Sequence, residues 1–205
     1  LRDADLSNAR LDGADLRKAN LSGVNLRDAQ LNTAIMGDQK KVVRLTGAKL
    51  QAAILTGADL RNVEMDHVDL SYANLQAAIL RYSKLRRSNL REANLKGADL
   101  SAADLTEADL RRADLTEAAL NFAQLGKTDL RRAVLVDVDL CKADLTGAIL
   151  EGATVEAVVL DETIMPNGGS YQKGGLFRSA NTLERYANVR QARSDDAERT
   201  LEPTD

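Results

Sequence analysis

The sequence predicts an all-β solenoid, in which short extended segments wind in successive coils around an aliphatic interior. Three observations predict this fold: Leu recurs at every fifth position, the residue two positions before each Leu is small, and a 20-residue repeat lies above the five-residue one. Residues two apart on an extended chain face the same side, so the small and the Leu positions would share the interior. An α-helix would advance about 500° in five residues at roughly 100° per residue. The leucines would then be spread around the helix, so the helical interpretation fails.

The composition restricts both the core and the function. The chain has 205 residues, of which 44% are hydrophobic and only 3% aromatic, enough for one domain with an aliphatic core. Its net charge of -3 excludes a strongly basic nucleic-acid binder and a strongly acidic protein. One cysteine, Cys141, and one histidine, His67, exclude a disulfide framework and disfavour a Cys/His metal site. We therefore expect a protein that is not an enzyme and holds no cofactor or metal.

The five-residue series has two parts. It runs from Leu1 to Met36, then resumes at Leu45 and continues to Leu160. Leu45 lies nine positions after Met36, where the repeat allows five or ten, so we predict a corner bulge at 37–41.

The positions between the leucines are predicted to face outward and to turn the chain. Asp or Asn precedes most of the leucines, as expected for a solvated column. The second residue after a Leu is often glycine, where a turn can use a positive φ. These glycines are Gly13, Gly23, Gly47, Gly57, Gly97, Gly147 and Gly152.

The coil length follows from the longer repeat. Leu110-Arg111-Arg112-Ala113 recurs 20 residues later as Leu130-Arg131-Arg132-Ala133, so four repeats make one coil. The sequences Ala-Asp-Leu-Ser-Ala, Ala-Asp-Leu-Thr-Glu and Ala-Asp-Leu-Arg-Arg within 98–117 resemble the pentapeptide-repeat family. The resemblance implies a right-handed quadrilateral β-helix over residues 1–165, with about eight coils. The run Ile164-Met165-Pro166-Asn167-Gly168 is similar to the end of many cyanobacterial members.

The C-terminal region departs from the repeat. Residues 166–175 have the composition of a Gly-rich linker, and residues 193–205 that of a disordered tail. Between them, the apolar spacing over 176–192 predicts a short amphipathic α-helix. We expect this helix to cap the strand edges of the last coil; docking onto a partner and a solvated tail are the alternatives.

Two groups of outward residues depart from the usual polar pattern of the repeat. The first is a basic stripe, for which ladders of ion pairs between coils are the alternative to recognition. The second is apolar residues in one outward column, with aromatic residues in its turns; a C-terminal tail folded over that face is the alternative to a contact surface. The residues of the candidate interaction surface are Arg86, Arg87, Arg91, Arg111, Arg112, Arg131, Arg132, Ile79, Tyr82 and Phe122.

These observations predict a structural or protein-protein interaction module with an unidentified protein partner. The alternative, implied by some members of the family, is a DNA mimic that acts on DNA gyrase; the near-balanced charge and the absence of Phe at the Leu positions disfavour it. Direct binding of anionic partners by the arginines is a third hypothesis. We expect a monomer or an end-to-end homodimer with no membrane span, located in the cytoplasm unless an N-terminal leader has been removed.

Overall fold

The chain winds into a four-faced β-helix in which parallel bridges join successive coils. The structure is a computed structural model that describes residues 1–17, 19–37 and 42–170, together with the backbone of 176–177. Most bridges join residues 20 positions apart, for example Asp109 to Asp129. In the first coil, Asp5, Arg10, Asp15 and Asn20 each bridge to the next coil, so four repeats complete one coil, as the 20-residue repeat predicts.

Each repeat is held by backbone hydrogen bonds in three directions. Leu110 donates its N–H to the carbonyl of Asp129 in the following coil, at 2.8 Å. Asp109 donates to the carbonyl of Ser88 in the preceding coil, at 2.9 Å. Ala113 donates to the carbonyl of Leu110 at 3.0 Å and closes the turn of its own repeat. The extended piece of each repeat is so short that most of its pairings are single bridges.

Longer strands occur near the C-terminal end. Strand β1, Val134–Val136, pairs in parallel with β2, Thr154–Glu156. Strand β3, Val158–Val159, pairs antiparallel with β4, Leu176–Phe177. The described residues contain no α-helix.

The interior is built from the two columns that the sequence predicts. From Leu21 to Leu160 the Leu positions and their small partners are almost fully buried, whereas Leu6, Leu11 and Leu16 of the first coil are only partly buried. Where a hydroxyl residue replaces Ala, it forms a hydrogen bond: Thr128 donates from Oγ1 to the carbonyl of Leu105 at 2.9 Å. A buried hydroxyl is tolerated because this bond replaces its lost contact with water.

The second turn residue is in the left-handed region whatever its side chain. The glycines predicted for this role have φ between 61° and 72°. Non-glycine residues at the same position do too, including Tyr82 at 59° and Phe122 at 61°. Most residues disfavour this conformation, so the coil geometry imposes it.

The interruption after Met36 is absorbed within one coil. Asp15 bridges Ile35, 20 positions away, whereas Asn20 bridges Arg44, 24 positions away. The four extra residues therefore lie between Ile35 and Arg44. Of the predicted bulge, residues 38–41 lie outside the described residues.

The C-terminal segment meets the last coil as a strand. Leu176 pairs with Val159 in β3, on the side away from Asp139 of the preceding coil. The prediction of a helix beginning at Leu176 is therefore wrong for β4, because the unpaired backbone of β3 offers hydrogen bonds that a helix start would leave unused. Residues 178–192 of the predicted helix lie outside the described residues.

Candidate interaction surfaces

A groove lined by arginines runs along one corner of the rod. Its volume is about 410 Å³. We call it the arginine groove, and its lining residues are Arg91, Arg111, Arg112, Arg131, Arg132, Glu151 and Gly152. Five of the candidate residues predicted from the sequence therefore meet in one place.

The repeat places these arginines in two adjacent columns. Arg91, Arg111 and Arg131 each follow a buried Leu directly, whereas Arg112 and Arg132 occupy the left-handed turn position, with φ of 58° and 59°. Equivalent residues in successive coils lie at the strand spacing of about 4.8 Å. Like charges are therefore neighbours along both columns.

Two of the arginines bind the aspartate that precedes them in the same repeat. Arg111 donates from Nε and Nη2 to the two carboxylate oxygens of Asp109, at 2.8 and 2.5 Å. Arg131 and Asp129 form the same pair, at 2.9 and 2.5 Å. This two-bond geometry is the strongest that an arginine makes with a carboxylate. These two ion pairs thus lie within a repeat, and Arg111 reaches Asp129 of the next coil only at 3.7 Å.

The electrostatics of these carboxylates reflect the pairs. Burial raises the pKa of Asp109, but hydrogen bonds from the side chain and backbone of Arg111 outweigh it and lower the pKa. The same opposition lowers the pKa of Asp129, with Arg131 as the donor. Both aspartates are therefore ionised at neutral pH.

The other three arginines of the groove make longer ion pairs, or none among the described residues. Arg91 and Arg112 share one acceptor, Oε1 of Glu92, at 3.5 and 3.4 Å. The Nε of Arg91 is buried and has no hydrogen-bond partner among the described residues. Arg132 forms no ion pair with any residue that the structure describes. Arg91 and Arg112 therefore share one carboxylate at long distance, and Arg132 has none among the described residues.

Arg86 and Arg87 do not belong to this groove. They follow Leu85, one repeat before Arg91, and so occupy the previous corner of the coil. Arg86 binds Asp104 at 2.5 Å, and Arg87 binds Glu107 at 2.8 Å. A continuous basic stripe from Arg86 to Arg132 is thus not formed, because a five-residue step turns a corner whereas a 20-residue step stays on one face.

The outward aspartates hold the turns of the coil in addition to facing solvent. Asp99 accepts hydrogen bonds from the N–H of Ser101 at 3.1 Å and from its Oγ at 2.6 Å, and it pairs with Arg81. Only 21% of the Asp99 side chain is exposed. Its carboxylate caps the turn that follows, which accounts for the recurrence of Asp and Asn before the Leu.

The predicted apolar column is interrupted by these aspartates. Ile79, Ala119 and Val159 lie in one column, but they alternate with Asp99 and Asp139, and all three are half-buried. The column by itself is therefore not a continuous apolar patch.

The turns beside that column carry two exposed aromatic residues. Tyr82 and Phe122 are 63% and 54% exposed and lie two coils apart, with Ala102 between them. Lys142 places its Nζ 5.5 Å from the ring centre of Phe122. We call Tyr82, Ala102 and Phe122 the aromatic corner.

Cys141 lies beside the aromatic corner, because its carbonyl accepts the N–H of Phe122 at 2.9 Å, whereas His67 lies away from both surfaces. Burial raises the pKa of the Cys141 thiol, and Asp139 beside it raises it further. A protonated thiol is a poor nucleophile. His67 is exposed in a turn position.

A comparison with models of protein families shows which family the chain belongs to. The model of pentapeptide repeats matches it in eight copies. The matched residues are 1–38, 44–81, 69–106, 83–121, 93–132 and 118–156. The chain belongs to the pentapeptide-repeat family. Membership implies a right-handed β-helix and confirms the resemblance stated from the sequence.

Solved structures of other pentapeptide-repeat proteins are similar to this chain. HetL, which is involved in regulating heterocyst differentiation in the cyanobacterium Nostoc sp., is 28% identical over 82% of this chain and 92% of its own, with a TM-score of 0.55. QnrB1, a plasmid-mediated fluoroquinolone resistance protein, is 20% identical over 75% of this chain and 78% of its own, with a TM-score of 0.60. At that identity QnrB1 shows the fold alone. No curated protein matches the chain.

The rod also lacks a candidate membrane helix over the residues described. Within that part of the chain, no helical segment has the length and apolar character needed to cross a bilayer.

Proposed function

We propose that this pentapeptide-repeat protein is a non-catalytic interaction module, whose rod of eight coils presents the aromatic corner to a protein partner. The exposure of Tyr82 and Phe122 in left-handed turn positions is the observation that carries the proposal. A bulky residue there strains the backbone, and an exposed ring gains little from folding. Glycine occupies the same position at Gly97 and Gly147, so the turn itself does not require a ring.

The described side chains offer more to binding than to catalysis. Carboxylates such as Asp99 and Asp109 are occupied by turn N–H groups and by arginines, which lower their pKa. A general acid at neutral pH needs a raised pKa instead. Interaction modules built on repeats use a rigid extended surface in place of a reactive pocket.

The DNA-mimic alternative receives less support from the charge pattern. A mimic of duplex DNA needs uncompensated negative charge along the rod. Here several of the outward acids are paired with arginines, as Asp104 is with Arg86 and Asp109 with Arg111. We therefore do not favour an action on DNA gyrase.

Site-specific crosslinking in cells that express the full chain tests the proposal. A photoreactive phenylalanine analogue replaces Phe122 in one variant and Tyr82 in another. Glu117 is the matched control, because it has the same left-handed turn conformation in the same coil as Phe122 but lies at the preceding corner. We expect one discrete crosslinked protein from Phe122 and Tyr82 and none from Glu117. Equal crosslinking at all three positions would overturn the proposal.

A further inference from the structure

The arginine groove concentrates like charge where the repeat does not require it. Arg112 lies directly below Arg132, and Arg111 directly below Arg131, in adjacent coils. Like charges at directly opposed positions of neighbouring strands destabilise a sheet. The column of Asp99 avoids this by alternating charged and apolar residues. The stability of the rod therefore does not account for the arrangement in the groove.

The ion pairs within the groove use only some of the N–H donors of its arginines. Asp109 and Asp129 are held by Arg111 and Arg131. Glu92 is shared by Arg91 and Arg112 at more than 3.3 Å, and Arg132 has no carboxylate partner among the described residues. Each guanidinium carries five N–H donors. Many of these donors therefore have no acceptor among the described residues.

The dimensions of the groove suit a small ligand that bears several charges. Its volume of about 410 Å³ lies in the range of small-molecule sites, and it is lined by five guanidinium groups. Planar guanidinium groups recognise phosphate oxygens with paired hydrogen bonds. Because Arg111 and Arg131 are held by their aspartates, an entering anion would bind chiefly to Arg112 and Arg132, which lie in adjacent coils about 4.8 Å apart. Two or three linked phosphates carry negative charge over that distance.

We propose that the arginine groove binds an oligophosphate anion, with Arg112 and Arg132 as its main contacts. Arg91 adds a donor at the N-terminal end, while Arg111 and Arg131 supply positive charge from their aspartate pairs. Glu151 lines the C-terminal end of the groove and opposes the ligand by its charge. The inference goes beyond the proposed interaction function and is independent of it, because the aromatic corner lies two repeats away around the coil.

Isothermal titration calorimetry of the full chain tests the inference, with inorganic pyrophosphate and triphosphate as probes. We expect saturable binding of one anion per chain, tighter for triphosphate, and an affinity that falls as salt increases. Arg132→Gln and Arg112→Gln should each weaken binding by about tenfold or more. Arg87→Gln is the matched control: Arg87 occupies the same left-handed turn position on another corner, so this variant should bind like the parent chain.

A second variant should change the affinity in the opposite direction, and it keeps every arginine of the groove. Glu151→Gln removes the negative charge at the end of the groove and should tighten binding by about two- to fivefold. If Arg132→Gln unfolds, Arg132→Lys keeps the charge without the planar fork and should bind with intermediate affinity. No saturable binding of pyrophosphate, unchanged binding in the groove variants, or no tightening by Glu151→Gln would overturn the inference.

Comparison ligands separate the sources of the anion. Citrate offers several carboxylates without phosphate, and binding as tight as that of pyrophosphate would overturn the assignment to phosphate. Equal binding of ADP and pyrophosphate would support a site that recognises the phosphate chain alone. Tighter binding of ADP would support the same site with added contacts to the nucleoside.

Discussion

Opposite sides of the rod arrange their outward charges in different ways. On the face that contains Leu110, Asp109 bridges Asp129 directly, and Arg111 is the neighbour of Arg131. On the opposite face the outward column alternates, so that Asp99 is followed by Ala119 before the next aspartate. The backbone is the same on both faces, and so is the buried Leu column behind it. The outward residues are therefore free to differ, and only the alternating face minimises repulsion.

The face that contains Leu110 departs from the charge pattern with the least repulsion. A ladder of identical charges needs an arginine bound to each aspartate, as in the Arg111–Asp109 pair. The alternating face needs fewer such pairs, because its aspartates are about two strand spacings apart. In a repetitive protein, a departure from the less repulsive pattern is expected where a surface binds a ligand or a partner.

The largest effect should come from the shared interior. Leu110→Ala and Leu100→Ala remove fully buried side chains behind the two faces, and each should lower the free energy of unfolding by about 2 to 5 kcal/mol. Similar losses would show that the faces differ only on the outside. Urea unfolding measures both, with Leu→Met at each site as the volume-matched control. A loss below about 1 kcal/mol at either site would mean that its leucine is not part of the core.

Acid should lower the free energy of unfolding through the aspartates of both faces. The pKa values of Asp99 and Asp109 are lowered, because their hydrogen bonds to the turn and to arginine outweigh the opposing effect of burial. An aspartate whose pKa is lowered by folding stabilises the fold at pH values above its ordinary pKa of 3.8. This contribution is lost as the pH falls through the folded-state pKa. Urea unfolding from about pH 6 to about pH 3 should show this decline. A rod that becomes more stable on acidification would contradict the assignment.

Removing single aspartates should distinguish the faces. Asp99→Ala loses the bonds from Ser101 and Arg81, and we expect a loss of about 1 to 2 kcal/mol. Asp109→Ala also leaves Arg111 with only Asp129, at 3.7 Å, to offset the neighbouring arginine of the adjacent coil, which adds about 0.2 to 1 kcal/mol. The difference between the two variants should shrink in high salt. A difference that is independent of salt would show that repulsion is not its cause.

The smallest effect tests the alternation itself. Ala119→Asp places a third aspartate between Asp99 and Asp139, and the repulsion should destabilise the rod by about 0.2 to 1 kcal/mol at low salt. Ala119→Asn is the control, because it can make the same turn hydrogen bond without the charge. Thermal unfolding of the two variants at low and high salt measures the effect. If the Asp and Asn variants are equally stable at low salt, the alternation has no electrostatic role.

The periodicity of the sequence was enough to predict the interior. Burial of Leu100 and its small neighbours depends only on the two-residue alternation of an extended chain, which is local geometry. The length of the coil followed from the repeat of Leu110-Arg111-Arg112-Ala113, and the turn glycines followed from the need for positive φ. Family membership was also readable, because a tandem array of five-residue repeats this long is highly specific to one family.

The partners of the arginines, the capping by aspartate and the edge that β4 joins depend on pairing between coils. Local sequence does not distinguish Arg86 from Arg91, yet five residues separate two corners of the coil and give them different partners. The capping role of Asp99 depends on how its side chain meets the following turn in the folded rod. At β4, the apolar spacing predicts a helix, but the free edge of β3 provides backbone partners for an extended segment. Periodicity thus determined which residues face the interior, whereas only the register between coils determined which charges and which backbone edges meet, because those partners are distant in the sequence.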